Sequence, residues 1–178
     1  MNWKEKVYIL EKNDDFDVAI FFLKQVIKEN PSEVDAYIFI LFRLMYCIIE
    51  NSCYFANVSK TLVSEIKKEY YREKKGDYQD LLFKYFAEGY EKFSDNADFL
   101  FYTAEIACIS AALSDIHMGI DAEFINQMME KAALLDPKNP VFQRQYYTNL
   151  SKNNPDDQEL LRYKQNVFDK TSLIHQEF

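Results

Sequence analysis

The sequence predicts an all-α fold, a single domain over 1–178 built as a stack of antiparallel α-hairpins. Three observations carry this. First, apolar residues recur at helical spacing in three segments that each run into a turn: Ala19, Leu23 and Val26 before Pro31; Leu82, Phe86 and Gly89 before Ser94; Ile125, Met129 and Ala132 before Pro137. Second, a short polar turn and another apolar helix follow each time, so that each hairpin can bury its faces only against its neighbours. Third, the chain has only 3 Gly and 4 Pro, too few for the tight turns of an all-β fold or for phosphate-cradling loops, while 13 Tyr and 15 Phe supply large buried area. With 178 residues the chain fits one domain that buries roughly 70% of the surface its unfolded form exposes.

About nine helices are expected, in the following order. The first covers 3–12. The second follows Asp14 and Asp15, whose carboxylates suit the positive end of a helix, and stops at Pro31. Ser32 caps the third, which runs to about Glu50 and is apolar nearly all round, as an enclosed helix should be. Its most apolar stretch, 36–49, is too short for a membrane span and carries Arg43, so it reads as a core helix and no membrane partner is expected. The fourth covers 57–75 and is closed by Gly76; Asp77 opens the fifth. Asn96 caps the sixth, from 97 to about 113, and the longest loop, 114–121, pivots at Gly119. The seventh spans 122–135. The eighth starts after Asn139 with Pro140 at its first position, and the ninth, about 156–175, repeats the device with Asn154 and Pro155. The turns at Pro31, Ser94 and Pro137 keep no strict period; the first interval is near two units of about 34 residues and the second is one unit plus an insertion held in the long loop.

Charge and chemistry narrow the function. A formal charge of −8 opposes nucleic acid and anionic membrane as partners and favours a basic protein. Cys47, Cys53 and Cys108 form an odd set without CxxC spacing; they read as small buried apolar residues in a reducing compartment. The first residues are charged from Lys4 onward and lack the apolar run of a signal peptide, so the expected location is cytoplasmic. His117 and His175 are the only histidines, and neither stands at metal-ligand spacing; no Walker or GxSxG sequence occurs. Cys108 and His117 carry no specific signal as a nucleophile and base, and the acid pairs Asp14/Asp15, Asp156/Asp157 and Asp121/Glu123 belong to helix starts. No enzyme activity, cofactor or metal is expected.

Phe16, Ala19, Leu23, Val26 and Pro31, with Trp3 ahead of them, resemble the tetratricopeptide repeat, and Ile125, Met129, Ala132 and Pro137 are a second match. At 77–94 the pattern departs, with Gln79 for the early aromatic and Ser94 for the proline. The small residue of the first helix is present as Ala104 but replaced by Val7, Leu41 and Tyr147 elsewhere. The resemblance implies a right-handed superhelix in which the first helix of each hairpin lines a concave groove. Carried onto this chain, it makes Asp35, Ile38, Phe42 and Tyr46, and Asp98, Phe101, Glu105 and Cys108, the groove-facing positions. Of these, Asp35, Phe42, Tyr46, Asp98, Phe101 and Glu105 are the partner-binding candidates. Phe42, Tyr46 and Phe101 at helical spacing are more often the pattern of a core than of a binding surface, in which case the groove is closed. The family's carboxylate clamp is missing, since Ile38, Phe42, Phe101 and Glu105 stand in its places, which disfavours a chaperone-tail adaptor. Abundant Lys, Asn, Ile, Phe and Tyr with scarce Gly, Pro and Arg are similar to the composition of small bacterial immunity proteins, as in contact-dependent growth inhibition. That resemblance implies neutralisation of a cognate basic toxin or nuclease; the alternative is an adaptor or co-chaperone holding a peptide in the groove.

Overall fold

The computed structural model describes residues 2–13, 15–53, 62–112 and 120–153, together with 156–158, 161, 162 and 165. Among these residues the protein is all-α, with seven helices in the order α1 (Trp3–Lys12), α2 (Phe16–Glu29), α3 (Val34–Cys53), α4 (Leu62–Phe93), α5 (Ala97–Ala112), α6 (Ala122–Leu135) and α7 (Pro140–Asn153). Side-chain caps set most of the starts. Asn2 and Glu5 form a capping box on α1; Asn96 takes the Phe99 N–H at 2.9 Å at the head of α5; Asp121 takes that of Phe124 at 2.7 Å at the head of α6. Asn139 Oδ1 accepts from Val141 at 3.1 Å, with Pro140 at the first helical position, where its missing N–H has no intrahelical partner to lose.

Three expectations need correction. Gly76 does not close a helix: α4 runs through it without a break, and Asp77 is an exposed mid-helix residue rather than a helix start. An isolated glycine costs a helix only about 1 kcal/mol relative to alanine, which the packing of the turns that follow readily outweighs. Ser32 does not cap α3; its hydroxyl donates to Asn30 Oδ1 within the turn, and the helix begins at Val34. Asp15 precedes α2, as expected, but makes no side-chain cap and offers only its carbonyl, to Ala19. The long loop with Gly119 lies almost wholly outside the described residues, as does most of the expected ninth helix, of which Gln158, Leu161, Arg162 and Gln165 are helical.

The periodic residues do mark the faces that pack. Ala19, Leu23, Ile125, Met129, Ala132 and Leu82 are sealed or nearly so. α3 is the central element, packing against α2, α4 and α5, while α5 continues onto α6 and α6 onto α7. A run of rings crosses this core, Tyr37 against Phe93 at 5.2 Å and Phe93 against Phe99 at 5.6 Å. Gly89 is what lets it fit: a Cβ there would stand 2.7 Å from two atoms of the Phe99 ring and 3.2 Å from Tyr37.

Two polar clamps tie α4 to its neighbours. Asp17 of α2 accepts from the hydroxyls of Tyr70 and Tyr78 and pairs with Lys74. Burial pushes its carboxyl up, but the two hydroxyls and the lysine outweigh it and hold it below the ordinary aspartate range. Toward α3, Tyr37 donates to Glu88, and Lys92 donates to both, at 2.6 Å to the Tyr37 hydroxyl and 2.7 Å to Glu88. Lys92 and Tyr37 together hold Glu88 below the ordinary glutamate range.

Candidate functional site

Away from α4, the apolar girdle of α3 is left partly uncovered. α3, α5 and α7 enclose an open cleft of about 860 Å³, with Lys4 of α1 at one end. α3 contributes Asp35, Ile38, Phe39, Phe42 and Arg43, which recur at one- and two-turn intervals along a single face. α5 contributes Phe101, Tyr102, Glu105, Ile106 and Ile109 in the same manner, and the first two turns of α7 bring Val141, Arg144 and Gln145. The Phe101 ring is held against Phe142 at 4.4 Å and forms the floor. Phe42, Tyr102 and Val141 are 49%, 47% and 49% exposed, so the rim presents apolar surface directly to solvent. A shallower depression of about 560 Å³, lined by Tyr8 and Ile9 of α1, shares Lys4 and Phe39 with the cleft.

The charges of the cleft are mostly matched within the chain. Lys4 pairs with Asp35, and Arg43 pairs with Glu11. The Arg43 side chain is only 11% exposed and lies 5.6 Å from the ring centres of Phe16 and Phe42 and 5.5 Å from that of Tyr46, a site where cation–π attraction is little screened. Glu105 differs in having no ion pair among the described residues. Its Oε1, like that of Glu11, is buried without a hydrogen-bond partner among them, and burial alone pushes its carboxyl above the ordinary glutamate range.

Four of the six residues expected at the site, Asp35, Phe42, Phe101 and Glu105, converge on the cleft. Tyr46 does not line it: its ring packs on Phe16 at 5.3 Å, between α2 and α3. Asp98 is exposed in the first turn of α5, where its charge suits the helix terminus, and is also absent from the lining. Of the other groove-facing positions, Ile38 lines the cleft and Cys108 is half-buried outside its lining. Sequence reasoning missed the third wall. Val141, Arg144 and Gln145 share one face of a helix, but that spacing gives no hint that the face meets α3 and α5.

Cys47 is buried, and neither it nor Cys108 is in a disulfide; His117, the imagined partner of Cys108, lies outside the described residues. Among the described residues no three His, Cys, Asp or Glu side chains are grouped to hold a metal ion, and no helix is long and apolar enough to cross a membrane. No protein-family model matches the chain, and no curated protein matches its sequence.

Proposed function

We propose that the chain is a non-enzymatic protein-binding scaffold, a tetratricopeptide-like stack of helical hairpins in a right-handed superhelix, that acts as a cytoplasmic immunity protein of the contact-dependent growth inhibition type. In this reading it binds a cognate basic toxin or nuclease stoichiometrically and covers its substrate-binding cations. The observation that carries it is the open cleft rimmed by Phe42, Tyr102 and Val141, with Glu105 inside it, on a chain of net charge −8. Exposed aromatic anchors supply contact area that loses water on docking, and opposite net charge draws a basic partner in from a distance.

Co-expression with the toxin encoded beside its gene tests this. The chain should restore growth, bind the toxin one to one, and associate more slowly as salt is raised. Unrelieved toxicity with no complex formed would overturn it.

The adaptor reading draws on the same feature, since a cleft walled by three helices with an apolar floor also suits a short peptide. Micromolar binding on a peptide array, with no effect on the neighbouring toxin, would favour that reading.

A further inference from the structure

Glu105 lacks what the other carboxylates near α3 have. Asp35 has Lys4, Glu11 has Arg43, Asp17 has Tyr70, Tyr78 and Lys74, and Glu88 has Tyr37 and Lys92. The Glu105 Oε1 is sealed from water with no partner among the described residues. A carboxylate partly withdrawn from water without a counter-charge weakens the fold that holds it. Helix α5 gains nothing in exchange, because glutamine or leucine would serve its backbone about as well. The other charged side chains of the lining are Lys4 on α1, Asp35 and Arg43 on α3, and Arg144 on α7. Lys4 and Asp35 neutralise each other and Arg43 is held by Glu11, while no cation offsets the effect of burial on Glu105.

Resting on the reading of this cleft as a partner-binding surface, we infer that Glu105 is the seat for one basic side chain, arginine or lysine, that a protein partner inserts between α3 and α5. The alkyl stem of such a side chain lies along Phe42 and Ile109, both exposed at the rim, and its charged head reaches the carboxylate. A guanidinium or an ammonium donates there to the carboxylate oxygen that is not sealed. Complementarity selects this occupant. An anion would be repelled, and an uncharged donor would leave the charge of the carboxylate unbalanced.

The test uses n-butylguanidinium and its uncharged analogue n-butylurea, titrated into the full chain and followed by amide and glutamate-carboxyl NMR. The cation should shift resonances of α3, α5 and α7 around the cleft, lower the pH at which Glu105 titrates, and bind about tenfold or more tightly than the urea. Glu105→Gln should bring the two probes level in a chain whose spectrum remains that of the folded protein. Asp98→Asn should leave the difference intact. Equal binding of the two probes, shifts lying elsewhere, or a preference that survives Glu105→Gln would overturn the inference. A cation-selective cleft in a chain that neutralises no toxin would retain this inference and remove the immunity reading. A toxin bound equally by the native chain and Glu105→Gln, with the probes indistinguishable, would do the reverse.

Discussion

On the side of α3 that meets α4, Tyr37 is sealed from solvent and its hydroxyl is shared by Glu88 and Lys92; on the side that faces the cleft, Phe42 stands 49% exposed and Glu105 across from it keeps an oxygen with no partner. Both regions are built from rings and carboxylates. They differ in whether a neighbouring helix arrives with the complementary group. Where hydroxyls and lysines meet the carboxylates, from Tyr70, Tyr78 and Lys74 of α4 for Asp17 and from Tyr37 of α3 and Lys92 of α4 for Glu88, both carboxyls are held low and the interface is closed. Where the cleft opens between α3, α5 and α7, burial without a partner raises the Glu105 pKa and the rim rings are left wet. The closed, cohesive surface and the open cleft therefore lie on opposite faces of one helix.

The contrast can be broken most strongly at Gly89. Alanine there would drive its Cβ into the fully buried Phe99 ring, and the overpacking, less the gain in helix propensity, should lower stability by about 1–2 kcal/mol in urea unfolding. Phe99→Leu, damaging alone, should be less damaging in the Gly89→Ala background, and this non-additivity would show that the clash is the cause. Next in size, Tyr78→Phe removes one of the donors to Asp17 and should lower stability by about 1 kcal/mol. Gly76→Ala on the same helix has the opposite sign: a Cβ there meets open space, so α4 should gain about 0.5–1 kcal/mol.

The subtlest expectation concerns pH. A raised carboxyl such as Glu105 binds its proton more tightly in the folded chain, so acidification from neutrality down to the ordinary glutamate range should strengthen the fold. Asp17 and Glu88, held low, contribute stability above their ordinary ranges and lose it as pH falls further through their lowered values. Denaturation midpoints should thus rise on mild acidification and then fall. Glu105→Gln should raise the midpoint at neutral pH and abolish only the rise; a rise that persisted would assign it to another group.

The closed side of this contrast was far more legible in the sequence than the open side. Helical spacing alone identified Ala19, Leu23, Ile125, Met129 and Ala132 as packing residues, because burial on a regular helix repeats with its period. Asn96, Asp121 and Asn139 were readable as caps because a cap is a local hydrogen bond. Gly76 was misleading because glycine ends a helix only when the chain needs to turn, and the long-range grip of Asp17 on Tyr70, Tyr78 and Lys74 lies across that point. Tyr46 and Phe42, one turn apart on α3, went to different surroundings: Tyr46 packs on Phe16 of α2, and Phe42 lines the cleft. The wall made by α7 was invisible for the same reason: its approach depends on how α5 and α6 pack, a tertiary matter that no spacing within α7 records.

Arg43 has one more implication. Its guanidinium sits close to three rings, with Glu11 fixing its direction, so Phe42 is steadied from behind while its outer face remains available. A ring whose rotamer is settled during folding gives up little further entropy when something lands on it, and affinity gained in this way appears as a long residence time rather than a fast encounter. In the proposed complex, the hidden arginine would be the backing plate behind the ring on which the partner lands.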